Sequence, residues 1–328
     1  MIRLPSLARY ALGAIVLAAV LWALNPTEVS RTLAGSDLAL VSVGLAVLVA
    51  MHAVVGAGWR WLIAQRTGER LPLGVALRAH YAAQAAGSIT PGNLGADVHR
   101  AALLRRAGHG WSGAVEPIIV QRATSYLALS VLAGIGLVIL SSSSELSRVA
   151  VFFGGGVAVI LVAASWLLLT PTRRFGALRA RMRRLVDGES ASAPDDAPRP
   201  TWRLMLGGIA NGVVFHAGSV VATWLLVLAM NPQTPLWPML AAITVARLSL
   251  AVPISPSGLG IQEGVLAALV SSIGLAPQPA LAAMLVARLS TLLLASIGVT
   301  LLLVDRPVQL SSSRATLRGQ PAGRGDAP

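Results

Sequence analysis

The chain has 328 residues, 55% of them hydrophobic and only 12% charged, with a mean hydropathy of +0.71. Soluble domains carry about 25% charged residues, so this composition excludes a water-soluble enzyme, a secreted domain and a disordered chain. The formal charge of +13 rests on 26 basic residues, all arginine, gathered between apolar runs, a pattern that suits membrane topology and anionic lipid rather than nucleic acid.

Runs of about 18 or more apolar residues read as membrane-spanning helices. The first covers 10–24, behind Arg3 and Arg9. It lacks a small-residue cleavage site before Asn25-Pro26 and is read as a retained span, not a signal peptide. The second covers 38–58 and ends in Gly58-Trp59-Arg60-Trp61, an aromatic and basic anchor of the interfacial type. The segment 73–89 is less apolar. It runs into Thr90-Pro91-Gly92-Asn93-Leu94-Gly95 and then a polar stretch, 96–107. Further apolar runs cover 113–140, 149–170 and 204–230. The pattern then recurs as a run at 237–252, a break at Pro253-Ile254-Ser255-Pro256-Ser257-Gly258-Leu259-Gly260, a stretch at 261–274 and a last run at 278–304.

Arginine-rich segments precede the first span, follow the second, fill 171–203 and recur after 304, whereas the loops 25–37 and 141–148 hold only Arg31 and Arg148. By the positive-inside rule both termini are cytoplasmic. This assignment requires 73–107 and 237–274 each to enter and leave on one side, either as a re-entrant hairpin or as two crossings. The stretch 93–107 carries Asp97, His99, Arg100, Arg105 and Arg106, too polar to face lipid. Such backbone is tolerated at membrane depth only where it lines a cavity or is buried in protein, which favours the hairpin. The expectation is an all-α polytopic membrane protein with about six full spans and two broken, re-entrant helical hairpins. Residues 1–304 form the transmembrane domain, with a cytoplasmic loop at 171–203, and 305–328 form a disordered cytoplasmic tail. Within the loop, 173–186 spaces Phe175, Leu178, Met182 and Leu185 as an interfacial amphipathic helix.

The two broken regions, 73–140 and 237–304, resemble each other. Each Gly-Pro break is followed by a carboxylate, Asp97 or Glu263, and an arginine lies 25 residues beyond each, at Arg122 and Arg288. One copy enters from the cytoplasm and the other from outside, as in the inverted repeats whose broken helices build transporter sites. Both arginines fall roughly 14–15 Å from opposite faces at 1.5 Å per residue, near the middle of a ~30 Å core. An arginine there needs a polar surrounding and a partner. Asp97 and Glu263 are the candidates, either as part of a substrate site or as purely structural ion pairs. Pro91 and Pro256 interrupt helical hydrogen bonding, and Gly92, Gly95, Gly258 and Gly260 allow close backbone approach. A helix starting after each break would turn free N–H groups toward an anion. Asn93, Arg100 and Ser257 belong to the same breaks, and His80 with Gln84 faces the first.

These residues resemble the lysylphosphatidylglycerol synthase/flippase-like transmembrane family across roughly 8–304. The likeness is carried by Arg60-Trp61, Thr90 through Arg100, Arg122, the run Pro256 through Glu263, and Arg288. It implies a bacterial inner-membrane protein that translocates lipids or assists in doing so; no catalytic residues are expected. About two dozen Arg-, Ser-, Gly- and Pro-rich residues follow 304, so the synthase activity of members fused to a soluble aminoacyl-transfer domain is not expected. Stand-alone relatives are associated with varied lipids, so the resemblance fixes no substrate. Many members carry an acidic residue immediately before the first arginine; here it is Gln121, with Glu116 about a turn and a half earlier.

The remaining residues add few constraints. The chain has no cysteine, which excludes disulfides and thiol chemistry. Its five histidines show no metal-ligand spacing, so neither metal nor cofactor is expected. Gly208-x-x-x-Gly212 marks helix packing within or between chains. The expected partners are membrane lipids with an anionic or phosphate-bearing head group. A second copy of the chain or a separate lipid-synthesising enzyme would be the protein partner. The alternatives to transport are a membrane-embedded transferase using a lipid-linked donor and a non-catalytic partner in lipid or envelope biosynthesis.

Overall fold

A computed structural model describes Ala18, Trp22 and residues 25–90, 93–140, 155–163, 201–251 and 258–304. The expected first span, the amphipathic segment 173–186 and the tail lie almost wholly or wholly outside them, as do Pro91, Gly92 and Ser257. Every element among the described residues is helical. We name them α1 (Pro26–Ala34), α2 (Leu38–Thr67), α3 (Leu73–Ser88), α4 (Leu94–Arg106), α5 (Glu116–Leu140), α6 (Trp202–Met230), α7 (Leu236–Arg247), α8 (Ile261–Ser272) and α9 (Pro277–Val304). A short turn, Trp111–Ala114, precedes α5, and α7 tightens into a 3-10 turn at Leu248–Ala251.

Local chemistry sets these boundaries. The Asp37 carboxylate caps α2 by accepting from the Ala39 and Leu40 N–H groups at 2.8 and 3.1 Å. The helix then runs unbroken to Gly68, which stops it in the left-handed conformation at φ 74°. The Thr201 hydroxyl accepts from the Leu204 N–H at the start of α6.

Length divides the helices into two kinds. Helices α2, α5, α6 and α9 are long and apolar enough to cross a membrane. Helices α3, α4, α7 and α8 have 16, 13, 12 and 12 residues, which at 1.5 Å per residue is about 18–24 Å. None of these four reaches across a ~30 Å core by itself.

Helices α2 and α6 form the most extensive pair, and α5 packs against α6. A Cβ at Gly208 would meet Thr124 Oγ1 at 2.6 Å, and one at Gly212 would meet Ala128 Cβ at 2.9 Å. This glycine pair therefore serves packing within the chain. The two broken regions exchange their long helices: α9 lies along α3, and α5 lies along α7. Glycine permits both approaches, because a Cβ at Gly298 would sit 2.7 Å from the Tyr81 carbonyl oxygen and one at Gly136 would sit 3.1 Å from that of Ala241. Outward faces stay apolar, with Val131, Ile135 and Val138 on α5 and Leu292, Leu293 and Ile297 on α9 exposed. Such surface is stable against acyl chains.

One expectation is corrected. Trp59, read from the sequence as an interfacial anchor, is 0% exposed and packs with Ile63, Ala76, Ala79, Leu104 and Ile118. Helices α3 and α4 fold back over this part of α2, turning an end-of-span tryptophan into core.

Candidate functional site

The first break is held by Thr90. Its hydroxyl lies 3.1 Å from the carbonyl oxygens of Ala86 and Gly87 and accepts the Gly95 N–H at 2.7 Å. Asn93 takes the left-handed conformation at φ 60° and starts α4 without a side-chain cap. Gly95 is required by proximity, since its Cβ would stand 2.7 Å from the Ala86 carbonyl carbon. The start of α4 is thus pressed against the end of α3, and Asp97 falls in its first turn.

Asp97 is shared by two guanidinium groups. Arg100 Nη2 donates to its Oδ1 at 2.6 Å, and Arg122 Nε donates to its Oδ2. Arg122 also reaches Tyr126 Oη at 3.2 Å. Arg100 lies over the Trp59 ring at 5.5 Å and donates through Nη1 to Gln121 Oε1 at 2.9 Å. Gln121 in turn donates to the Val55 carbonyl at 2.8 Å. Gln121 therefore accepts from Arg100 as a neutral group. Glu116 does not take over there, because it pairs with Arg66 at 2.9 Å.

The second break ends on Gly258 and Gly260, with φ of 69° and 78°, a region that an L side chain rarely adopts. Glu263 follows in the first turn of α8. It is 0% exposed and accepts from Arg288 Nε at 2.6 Å. Each half thus places a carboxylate where a helix N-terminus favours negative charge, and each carboxylate meets an arginine 25 residues on.

Both halves open onto one cavity of about 350 Å³. Asn93, Asp97 and Arg122 line it from the first half, and Gly258, Gln262 and Arg288 from the second. His80, Gln84 and Arg100 also lie on the wall. Glu263 sits behind Arg288, and Gly95 and Gly260 shape helix starts without lining the cavity.

Residues without a role in the sequence reading complete the wall. His52 Nδ1 lies 3.4 Å from His80 Nε2, which is 3.3 Å from Gln84 Nε2. His216 Nε2 lies 2.9 Å from the Ser125 hydroxyl. Arg247, at the end of α7, stacks over Phe215 at 5.9 Å, and its Nε has no hydrogen-bond partner among the described residues. A signal for Arg247 exists in the chain: it lies on the helix entering the second break, as His80 and Gln84 do before the first. Among the described residues no three His, Asp or Glu side chains are grouped as metal ligands.

The family model described as the lysylphosphatidylglycerol synthase TM region matches residues 6–298. No curated protein matches the chain.

Proposed function

The chain belongs to the lysylphosphatidylglycerol synthase TM region family, and from that premise we propose that it translocates a polar-headed lipid across the bacterial inner membrane. The observation that carries this reading is the convergence of both broken regions on one cavity, each with its own carboxylate and arginine. In this account the regions are inverted repeats, the short helices are re-entrant hairpins, and both termini are cytoplasmic. The cavity takes the head group while the acyl chains stay along the apolar outer faces.

The ion pairs have a job in such a cycle. A guanidinium in a membrane is expensive unless neutralised, so Asp97 and Glu263 compensate Arg122 and Arg288 when the cavity is empty. An entering phosphate replaces the carboxylate hydrogen bonds, and the carboxylates reclaim the arginines on release. Planar guanidinium forks suit this exchange, because they bind carboxylate and phosphate alike. The role is transport without chemical change of the lipid.

The test is native mass spectrometry of gently extracted protein, with lipid analysis of what co-purifies, in wild type and in Arg122→Ala/Arg288→Ala. The reading predicts one lipid class enriched in wild type and lost in the double variant. Bulk-membrane lipid in both samples would reduce the pairs to structural braces.

A further inference from the structure

Among the described residues the charges around the cavity do not balance. Four guanidinium groups, those of Arg100, Arg122, Arg247 and Arg288, are on its wall. They face two carboxylates, Asp97 on the wall and Glu263 behind it. The other described carboxylates are engaged elsewhere. Glu28 accepts from Gln278, Asp37 caps α2, Glu69 lies 3.4 Å from His109, and Glu116 pairs with Arg66. Protonation of His52, His80 or His216, which share the wall, would only add to the positive excess.

Two residues account for that excess. Arg100 is held on one side by Asp97 and on the other by the neutral Gln121, so one carboxylate serves two arginines. Arg247 has no carboxylate within ion-pair distance among the described residues; its contact is the Phe215 ring. A cation on an aromatic face retains its charge. A charge at membrane depth requires a partner, and the cavity is where one can enter.

We propose that the cavity binds a dianionic phosphate group, a phosphomonoester or a diphosphate, with Arg247 as its unshared anchor. This rests on the reading of the cavity as a head-group site and names the class of head group. An excess of two positive charges is neutralised by a dianion, half neutralised by a phosphodiester and left uncompensated by a zwitterion. A lysyl ester of a phosphodiester lipid would bring more ammonium than phosphate charge into a site already rich in cations. Arg247 lies over the Phe215 ring and lines the cavity, and guanidinium is suited to two-point contact with phosphate oxygens.

The experiment uses the full chain in phosphatidylcholine nanodiscs at a pH of about 8, where a phosphomonoester is doubly ionised. Phosphatidic acid, phosphatidylglycerol and inorganic phosphate are titrated separately, and binding is read by native mass spectrometry. Wild type should prefer phosphatidic acid over phosphatidylglycerol by about tenfold, the scale of one added hydrogen bond between charged groups. Arg247→Gln should bring that preference close to unity at an unchanged melting temperature, and Arg247→Lys should retain most of it. Gln121→Glu keeps the shape and adds one negative charge beside Arg100, so it should also lower the preference. This second variant decides the matter if Arg247→Gln fails to fold. Displacement of the lipid by inorganic phosphate would support the dianion site and assign its recognition to phosphate alone. Dianion preference without such displacement would support it and assign recognition to the lipid. Equal binding of both lipids by wild type, or an undiminished preference in Arg247→Gln and Gln121→Glu, would overturn the proposal. Translocation of lipid without dianion preference would refute this inference and leave transport standing. Selective dianion binding without translocation would do the reverse.

Discussion

The pair Glu263–Arg288 separates a structural role from a functional one. Glu263 is fully buried, the Arg288 side chain is 19% exposed, and they meet at 2.6 Å. Replacing Glu263 by Gln preserves shape but removes the negative charge that Glu263 sets against the guanidinium. Breaking a buried pair by removing one partner costs about 3–5 kcal/mol. The partial exposure of Arg288 to the cavity places this case near the lower end. Loss of a carboxylate from the first turn of α8 adds about 0.3–1 kcal/mol. A destabilisation of about 3–4 kcal/mol follows for Glu263→Gln. Replacing both partners instead, Glu263→Leu with Arg288→Met, leaves neither a buried charge nor a buried amide and should recover most of that loss, since pairs exchanged for well-packed apolar residues are often neutral. Translocation should stay absent if Arg288 contacts the head group as proposed. Thermal unfolding in detergent micelles reads the first quantity, and lipid flipping in proteoliposomes reads the second. Recovery of both stability and translocation in the double variant would refute a head-group role for Arg288.

Three further outcomes follow from the packing. Gly298→Leu should force α9 away from α3, since even its Cβ would stand 2.7 and 2.8 Å from backbone atoms of Tyr81 and Ala85; the expected loss is about 1–3 kcal/mol, seen as a lower melting temperature. Trp59→Ala should cost about 3–5 kcal/mol by emptying the core beneath Arg100, whereas Trp59→Phe keeps a ring there and should cost less, both measured by thermal unfolding. Arg66→Met with Glu116→Leu removes a buried pair that does not line the cavity, so the set of co-purifying lipids should not change even where stability does.

The parts legible in the sequence were those with local signals. Apolar run length marked the spans at α2, α5, α6 and α9, and the Pro-Gly breaks marked the starts of α4 and α8 to within a residue or two. The equal spacing from Asp97 to Arg122 and from Glu263 to Arg288 announced both ion pairs, because a repeated carboxylate–arginine interval in apolar surroundings has few other uses. What escaped depended on contacts between distant segments. Trp59 looked interfacial because nothing near it in the chain shows that α3 and α4 return to cover it. His52 meets His80 from 28 residues away and Ser125 meets His216 from 91, intervals without a periodic signature. Arg247 lies in the apolar run 237–252, but that no described carboxylate pairs with it becomes visible only when the surrounding helices are in place. Gln121 was noticed as a neutral residue, and the fold adds that its amide faces Arg100.

The most direct test of the central claim is lipid translocation by the purified chain in proteoliposomes, followed with fluorescent lipids in wild type, Arg122→Ala and Arg288→Ala, each first shown to be folded and inserted. The account predicts that wild type moves lipid between leaflets faster than protein-free vesicles and that each arginine variant falls to the protein-free rate. Wild-type rates in both variants would contradict the assignment of the cavity as the lipid head-group site.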